Sequence, residues 1–214
     1  MGLSISSICT PTAVMPFGGF SISGDRNPPQ YYIFMNKLIY YDYVFSQESL
    51  DIFWKENIDN KWLLADKDNT SLGYRNRDII FSGQGGFRNA PPLNDLICSY
   101  LDNLKSKHKD QFIEGLEVSK NRCFSDEKIA RYNVGNDYEW HSDDWASRPD
   151  ARRQLSTITY LNDDYIGGET EFEDLTIVPK KGKTLIFPSH WEFIHRGKKV
   201  IEGVKYVYIN HIWF

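Results

Sequence analysis

Cysteine is scarce and wrongly spaced for structural work: Cys9, Cys98 and Cys123 are the only three in 214 residues, and no two form a C-x-x-C pair. That excludes a zinc ribbon and a disulfide framework, and it points to a reducing, cytoplasmic compartment. Also missing are an apolar run long enough to span a bilayer and the charged-then-apolar opening of a secretory leader, so a soluble chain with no membrane partner is expected. Gly2 with Ser6 fits the short myristoylation pattern, which is too loose to carry weight alone. Basic excess is absent as well. A formal net charge of -4 and a sequence pI near 5.7 argue against a nucleic-acid partner, which would call for a positive patch. No internal repeat or low-complexity tract is present.

What the chain has is apolar and aromatic mass. It is 41% hydrophobic and 15% aromatic, enough to bury one core, and large aromatic side chains can wall a pocket. Residues 1–30 are rich in Ser, Gly and Pro and read as an N-terminal arm; residues 31–214 read as a single domain. Tyr31 to Tyr43 is dense in aromatic and β-branched residues and reads as a strand leading to a first helix. Ser46 is that helix's N-cap, with Phe45 and Leu50 at the staple positions and Leu50, Phe53, Trp54 and Ile58 at helical spacing. Pro91 and Pro92 open a second helix, with Leu93, Leu96, Ile97, Tyr100, Leu101 and Leu104 on its buried side, running to about Lys109. Between the two, Ser82 to Phe87 is glycine-rich but lacks the Lys-Ser/Thr ending and the spacing of a phosphate loop, so a mobile loop is expected there.

From Lys128 onward the texture changes to short β-rich runs separated by turn residues: Ile129 to Tyr132, Leu155 to Leu161, Thr170 to Phe172, Leu175 to Val178, Thr184 to Phe187 and Val204 to Trp213. Strands of this length and spacing predict a sandwich or jelly roll preceded by helices. Within this half, His141 and Asp143 stand two apart, which on a strand turns both side chains to one face. A second histidine, His195, follows much later, and Lys205 opens the last apolar strand. Two His and one carboxylate are the donor set of a facial iron(II) triad with open positions. Alternation along Lys205, Val207, Ile209 and His211 sets all four on one face.

The surroundings of the H-x-D triplet form an ordered series. Arg153-x-x-Ser156-x-x-x-Tyr160-Leu161-Asn162 is followed by Gly167-Gly168-Glu169-Thr170-x-Phe172, then Pro179-Lys180-Lys181-Gly182-x-x-Leu185-x-Phe187, then His195-x-Gly197-x-x-Val200-x-x-Gly203-x-Lys205. In order and spacing this series, over residues 128–214, closely resembles the catalytic domain of the prolyl 4-hydroxylase family of Fe(II)- and 2-oxoglutarate-dependent dioxygenases. The resemblance implies a double-stranded β-helix core of the cupin-like type, with N-terminal helices buttressing the major sheet. It makes His141, Asp143 and His195 the iron ligands and Lys205 the holder of the distal carboxylate of 2-oxoglutarate. Tyr132, Tyr160 and Thr170 would line the co-substrate pocket. His195 is favoured over His190 because only His195 is followed by the Gly, Val, Gly, Lys series; the same count from His190 puts Val200 at the cation position.

By the same resemblance the reaction is hydroxylation of an unactivated C–H, with O2 consumed and 2-oxoglutarate converted to succinate and CO2, supported by ascorbate. A prolyl residue in a peptide or protein is the favoured substrate, and Arg153, Trp140 and Trp145 are candidates for contacting it. A free amino acid or another small molecule is the rival substrate, a demethylase on nucleic acid is disfavoured by the acidic balance, and a cupin-like binding module without turnover is the rival from outside the enzymes. One departure stands out: the family often carries Trp at the sixth position after the lysine, where this chain has His211, which reads either as a hydrogen-bonding partner of the co-substrate or a ligand or as a buried histidine with a structural partner.

Overall fold

The computed structural model describes residues 30–34, 37–57, 63–65, 77–81, 90–107, 123–144, 146–148 and 151–213. The arm at 1–29, the glycine-rich loop at 82–87 and Trp145 lie outside the described residues. In chain order the elements are β1 (Gln30–Phe34), β2 (Lys37–Tyr43), α1 (Gln47–Asn57), β3 (Leu63–Ala65), β4 (Arg77–Phe81), α2 (Ala90–Lys107), β5 (Cys123–Tyr132), β6 (Tyr138–His141), β7 (Ala146–Arg148) and β8 (Ala151–Tyr160). They continue with β9 (Ile166–Gly167), β10 (Thr170–Phe172), β11 (Thr176–Ile177), β12 (Lys183–Pro188), β13 (His195–Gly197), β14 (Val200–Glu202) and β15 (Lys205–Trp213).

Two antiparallel sheets make the jelly roll. The major sheet runs β1-β2-β12-β8-β15-β5-β4-β3, with β7 paired beside β8, and the minor sheet runs β11-β10-β13-β6. This is the jelly roll the strand spacing predicts, and it is consistent with the double-stranded β-helix the resemblance implies. The major sheet's central strands are covered on both faces, which is why β12 is buried along its whole length. Leu185 and Phe187 of β12 join Val207 and Ile209 of β15 in the cluster between the sheets. On the other face, Ile186 of β12 and Tyr208 and Ile212 of β15 meet Leu50 and Phe53 of α1 and Ile97 and Leu101 of α2. The helices therefore back the sheet that carries the lysine, and alternation along each strand decides which core a side chain joins.

Helix α1 begins as its sequence demands. The Ser46 hydroxyl accepts the Ser49 amide at 3.1 Å, satisfying one of the orphan donors of the first turn, and the flanking Phe45 and Leu50 are buried in the helix-side core. Three local expectations need correction. The stretch before α1 is a two-strand hairpin, β1 with β2, not one strand. Leu96, expected on the buried side of α2, is exposed, and Ile97 and Leu101 carry the contact instead. Asp143 is not on a strand: β6 ends at His141, and the carboxylate lies in the turn that follows.

Candidate metal centre and co-substrate pocket

His141 and His195 are direct cross-strand partners in the β6–β13 ladder, an arrangement that brings opposed side chains within a few ångströms. Their ring centroids lie 4.3 Å apart. The turn after β6 then returns Asp143 to the pair, with carboxylate oxygens 3.7 Å from His141 Nε2 and 3.8 Å from His195 Nε2. One ligand atom from each of the three residues fits within 4.8 Å of the others. Each Nδ1 faces a backbone carbonyl two residues back: His141 toward Glu139 at 2.7 Å and His195 toward Phe193 at 3.0 Å. A carbonyl can only accept, so Nδ1 carries the proton in both rings. Both Nε2 atoms are left as lone-pair donors turned toward the carboxylate, the tautomer a metal requires. Two imidazole nitrogens and one carboxylate oxygen on one side of a point are a chemically fitting set for Fe(II) with coordination positions left over.

The walls around this triad are aromatic. Tyr138 stacks on His141 with centroids 3.6 Å apart, and Phe187 meets the His195 ring edge-on at 4.7 Å. Phe172, opposite His195 in the β10–β13 ladder, lies at 5.5 Å. Motif spacing names Phe172 and Phe187 but does not reveal this role. Burial pushes the Asp143 carboxyl up, yet the positive charge that the His195, His211 and His141 rings carry when protonated, with a contribution from the Ser156 hydroxyl, more than reverses that and holds it well below the usual carboxylate range. Ser156, Ser189 and His211 are all buried. Ser156 Oγ lies 2.8 Å from Ser189 Oγ and 3.2 Å from His211 Nδ1. His211 thus faces inward, as alternation predicts, and its observed partner is Ser156.

Lys205 stands on the same inner face, 4% exposed. It pairs directly with Tyr132 across the β5–β15 ladder, while β8 on the other side of β15 brings up Tyr160. The ammonium sits 5.2 Å from the Tyr132 ring centroid and 5.6 Å from that of Tyr160, and donates to the Gly168 carbonyl at 2.6 Å. The Tyr160 hydroxyl lies 2.7 Å from Thr170 Oγ1. A buried ammonium is costly, and a dicarboxylate end brings charge to match it. The residues present therefore fit 2-oxoglutarate as well as iron.

The candidate substrate residues are placed differently. Trp140 packs its ring under the Arg196 guanidinium at 4.8 Å, and Arg196 pairs with Glu171. As ladder neighbours of His141, His195 and Phe172, these three occupy the outer face of the minor sheet, away from the triad. Arg153 is 8% exposed and its Nη1 reaches the Asp143 carbonyl at 3.5 Å, so it braces the turn that carries the carboxylate. His190 is exposed and lies 3.4 Å from Gln154 Oε1, apart from the triad.

Comparison with known proteins agrees with this geometry. Residues 128–214 match the family model described as the 2OG-Fe(II) oxygenase superfamily. No curated protein sequence gives a significant match. Among solved structures, the viral collagen prolyl hydroxylase of Paramecium bursaria Chlorella virus-1, in its 2OG complex, is similar with a TM-score of 0.60 at 21% identity, covering 82% of this chain and 95% of that one. A Pseudomonas putida prolyl-4-hydroxylase aligns with a TM-score of 0.54 at 18% identity over 81% of this chain and 91% of its own. A Trichoplax adhaerens prolyl hydroxylase, in complex with a hypoxia inducible factor oxygen degradation domain peptide fragment, aligns with a TM-score of 0.56 at 16% identity over 84% of each. At these identities the likeness is one of fold. The stretch matched by the family model holds all three donors and Lys205, and the chain shares its fold with these prolyl hydroxylases.

Proposed function

We propose that this chain is an Fe(II)- and 2-oxoglutarate-dependent dioxygenase that hydroxylates a prolyl residue in a peptide or protein. The observation that carries the reading is the pairing of the two sites on one interior. His141, Asp143 and His195 converge within 4.8 Å, and Lys205 is buried on the inner face of the adjacent sheet between Tyr132 and Tyr160. The prolyl part of the reading draws on neighbours that are prolyl hydroxylases, one of them bound to a peptide.

The chain's own residues divide the work. His141, Asp143 and His195 would hold Fe(II), which when bound supplies the redox centre at which O2 and 2-oxoglutarate are consumed to give succinate, CO2 and a hydroxylated C–H. The carbonyls of Glu139 and Phe193 keep the Nδ1 protons in place, so neither imidazole has to change tautomer to bind. Lys205 would anchor the distal carboxylate, with Thr170 and Tyr160 beside it. Phe172 and Phe187 keep water from the His195 side of the pocket. Ascorbate would support turnover as an external reductant.

Incubating the protein with Fe(II), ascorbate and 2-oxoglutarate, and either a panel of proline-rich peptides or free amino acids, tests this reading. Gain of one oxygen atom on a peptide proline, with one succinate formed per hydroxyl, is the expected result by mass spectrometry. Hydroxylation of free proline with no peptide product would move the substrate to the small-molecule class.

A further inference from the structure

Tyr165 is a phenol without a place in the account so far. It lies in the segment between β8 and β9, and its hydroxyl is buried with no hydrogen-bond partner among the described residues. Native structures rarely strand a buried hydroxyl, and such a group calls for a missing partner. The segment is not loosely held. Asn162 donates to the Val204 carbonyl at 2.7 Å and accepts the Tyr206 amide at 2.8 Å, tying this loop to the start of the strand that carries Lys205. Gly203, at φ +78, lets the chain pass: a Cβ there would come within 3.0 Å of Tyr165 Cβ and 2.9 Å of the Asp164 carbonyl.

The direction of the ring follows from Gly168. A Cβ built on that residue would meet Tyr165 Cε2 and Lys205 Cδ, each at 3.1 Å. Cε2 is bonded to the carbon that bears the hydroxyl, and Cδ is two bonds from the ammonium, so the polar ends of both side chains flank the same glycine. The Gly168 carbonyl is also the acceptor of the Lys205 ammonium. Tyr160, whose ring lies beneath that ammonium, is near enough to Tyr165 to add to the burial that pushes the Tyr165 phenol up.

We propose that Tyr165 is a further co-substrate-binding residue, its hydroxyl donating to the distal carboxylate of 2-oxoglutarate beside Lys205. The inference rests on the co-substrate reading of Lys205. A carboxylate has more acceptor positions than one ammonium fills, and a phenol that lacks a protein partner meets no competition for its proton. Substitution by Phe removes one oxygen and leaves the packed ring.

The test is calorimetric titration of the full chain, loaded with Fe(II) under anaerobic conditions, with 2-oxoglutarate and separately with pyruvate, which shares the 2-oxo acid end and lacks the distal carboxylate. Tyr165→Phe should weaken 2-oxoglutarate binding about tenfold or more, leave pyruvate binding unchanged, and leave the melting temperature of the metal-free chain equal or higher, since no protein hydrogen bond is lost. Equal 2-oxoglutarate affinity in wild type and variant would overturn this inference alone. Parallel weakening for both probes, or a metal-free variant that melts several degrees lower or does not fold, would assign the hydroxyl a structural partner and also overturn it. A wild-type chain that binds no 2-oxoglutarate would overturn both this inference and the reading it rests on.

Discussion

Two carbonyl oxygens, those of Glu139 and Phe193, set which nitrogen of each histidine is available, and the consequence is a site fixed before any metal arrives. Asp143 is the member that cannot be replaced by a neighbour. Asp143→Ala should abolish stoichiometric Fe(II) binding, as measured by metal analysis after desalting. The hydroxyl behind it matters less: Ser156→Ala should weaken Fe(II) about tenfold without removing it, the scale expected when a hydrogen bond to a ligand is lost. Lys205 is buried on the same inner face, between Tyr132 and Tyr160. Lys205→Ala should raise the 2-oxoglutarate dissociation constant about tenfold or more, for a charge-assisted contact worth roughly 1.5 to 3 kcal/mol, with Fe(II) binding nearly intact. Arg153→Ala should lower peptide-coupled and uncoupled 2-oxoglutarate turnover alike, because its guanidinium reaches the carbonyl of Asp143. Loss of the coupled reaction alone would return Arg153 to the substrate.

Among the elements, α1 and α2 are the backing that keeps β8, β12 and β15 in register behind the site. Phe53 of α1 packs edge-on against Tyr208 of β15 with centroids 5.3 Å apart, and it is almost wholly buried. Phe53→Ala should cost about 3 to 5 kcal/mol and lower the melting temperature, while the folded fraction still binds Fe(II) with full stoichiometry. How far the elements were legible depended on their length and on what set their ends. The long strands β8, β12 and β15 and both helices announce themselves through alternation and capping. Of the short strands, β10 and β11 were legible as β-rich runs between turn residues, while β6, β9, β13 and β14, two to four residues each, stand in no such run and pair with partners far away in the chain. That is why Asp143 read as a strand residue when it lies past the end of β6. The co-substrate face was readable because β15 alternates without a break: its bulge against β5, between Ile209 and His211, leaves the inner set of β15 in step. Trp140 is the reverse case: next to His141 in sequence, it packs against Arg196 on the outer face, since proximity in sequence does not fix the face.

For the whole molecule, the design is a two-sided sheet: apolar cover from the helices on one face, and on the other an interior shared by a metal triad and a buried cation. The motif series made both halves of that interior visible before the fold was, because iron and a dicarboxylate each constrain residue type tightly. Tyr138, Tyr165 and the role of Phe187 were not visible, because stacking, a stranded hydroxyl and edge contact arise only once distant strands meet. The measurement that bears most directly on the central claim is conversion of 2-oxoglutarate to succinate by purified wild type and by His195→Ala, each with added Fe(II) and after treatment with a chelator. Iron-dependent succinate formation by wild type, lost on chelation and absent in His195→Ala, is the result expected. Succinate formation that survives both the chelator and the loss of His195, or none in wild type with iron and ascorbate present, would contradict the account.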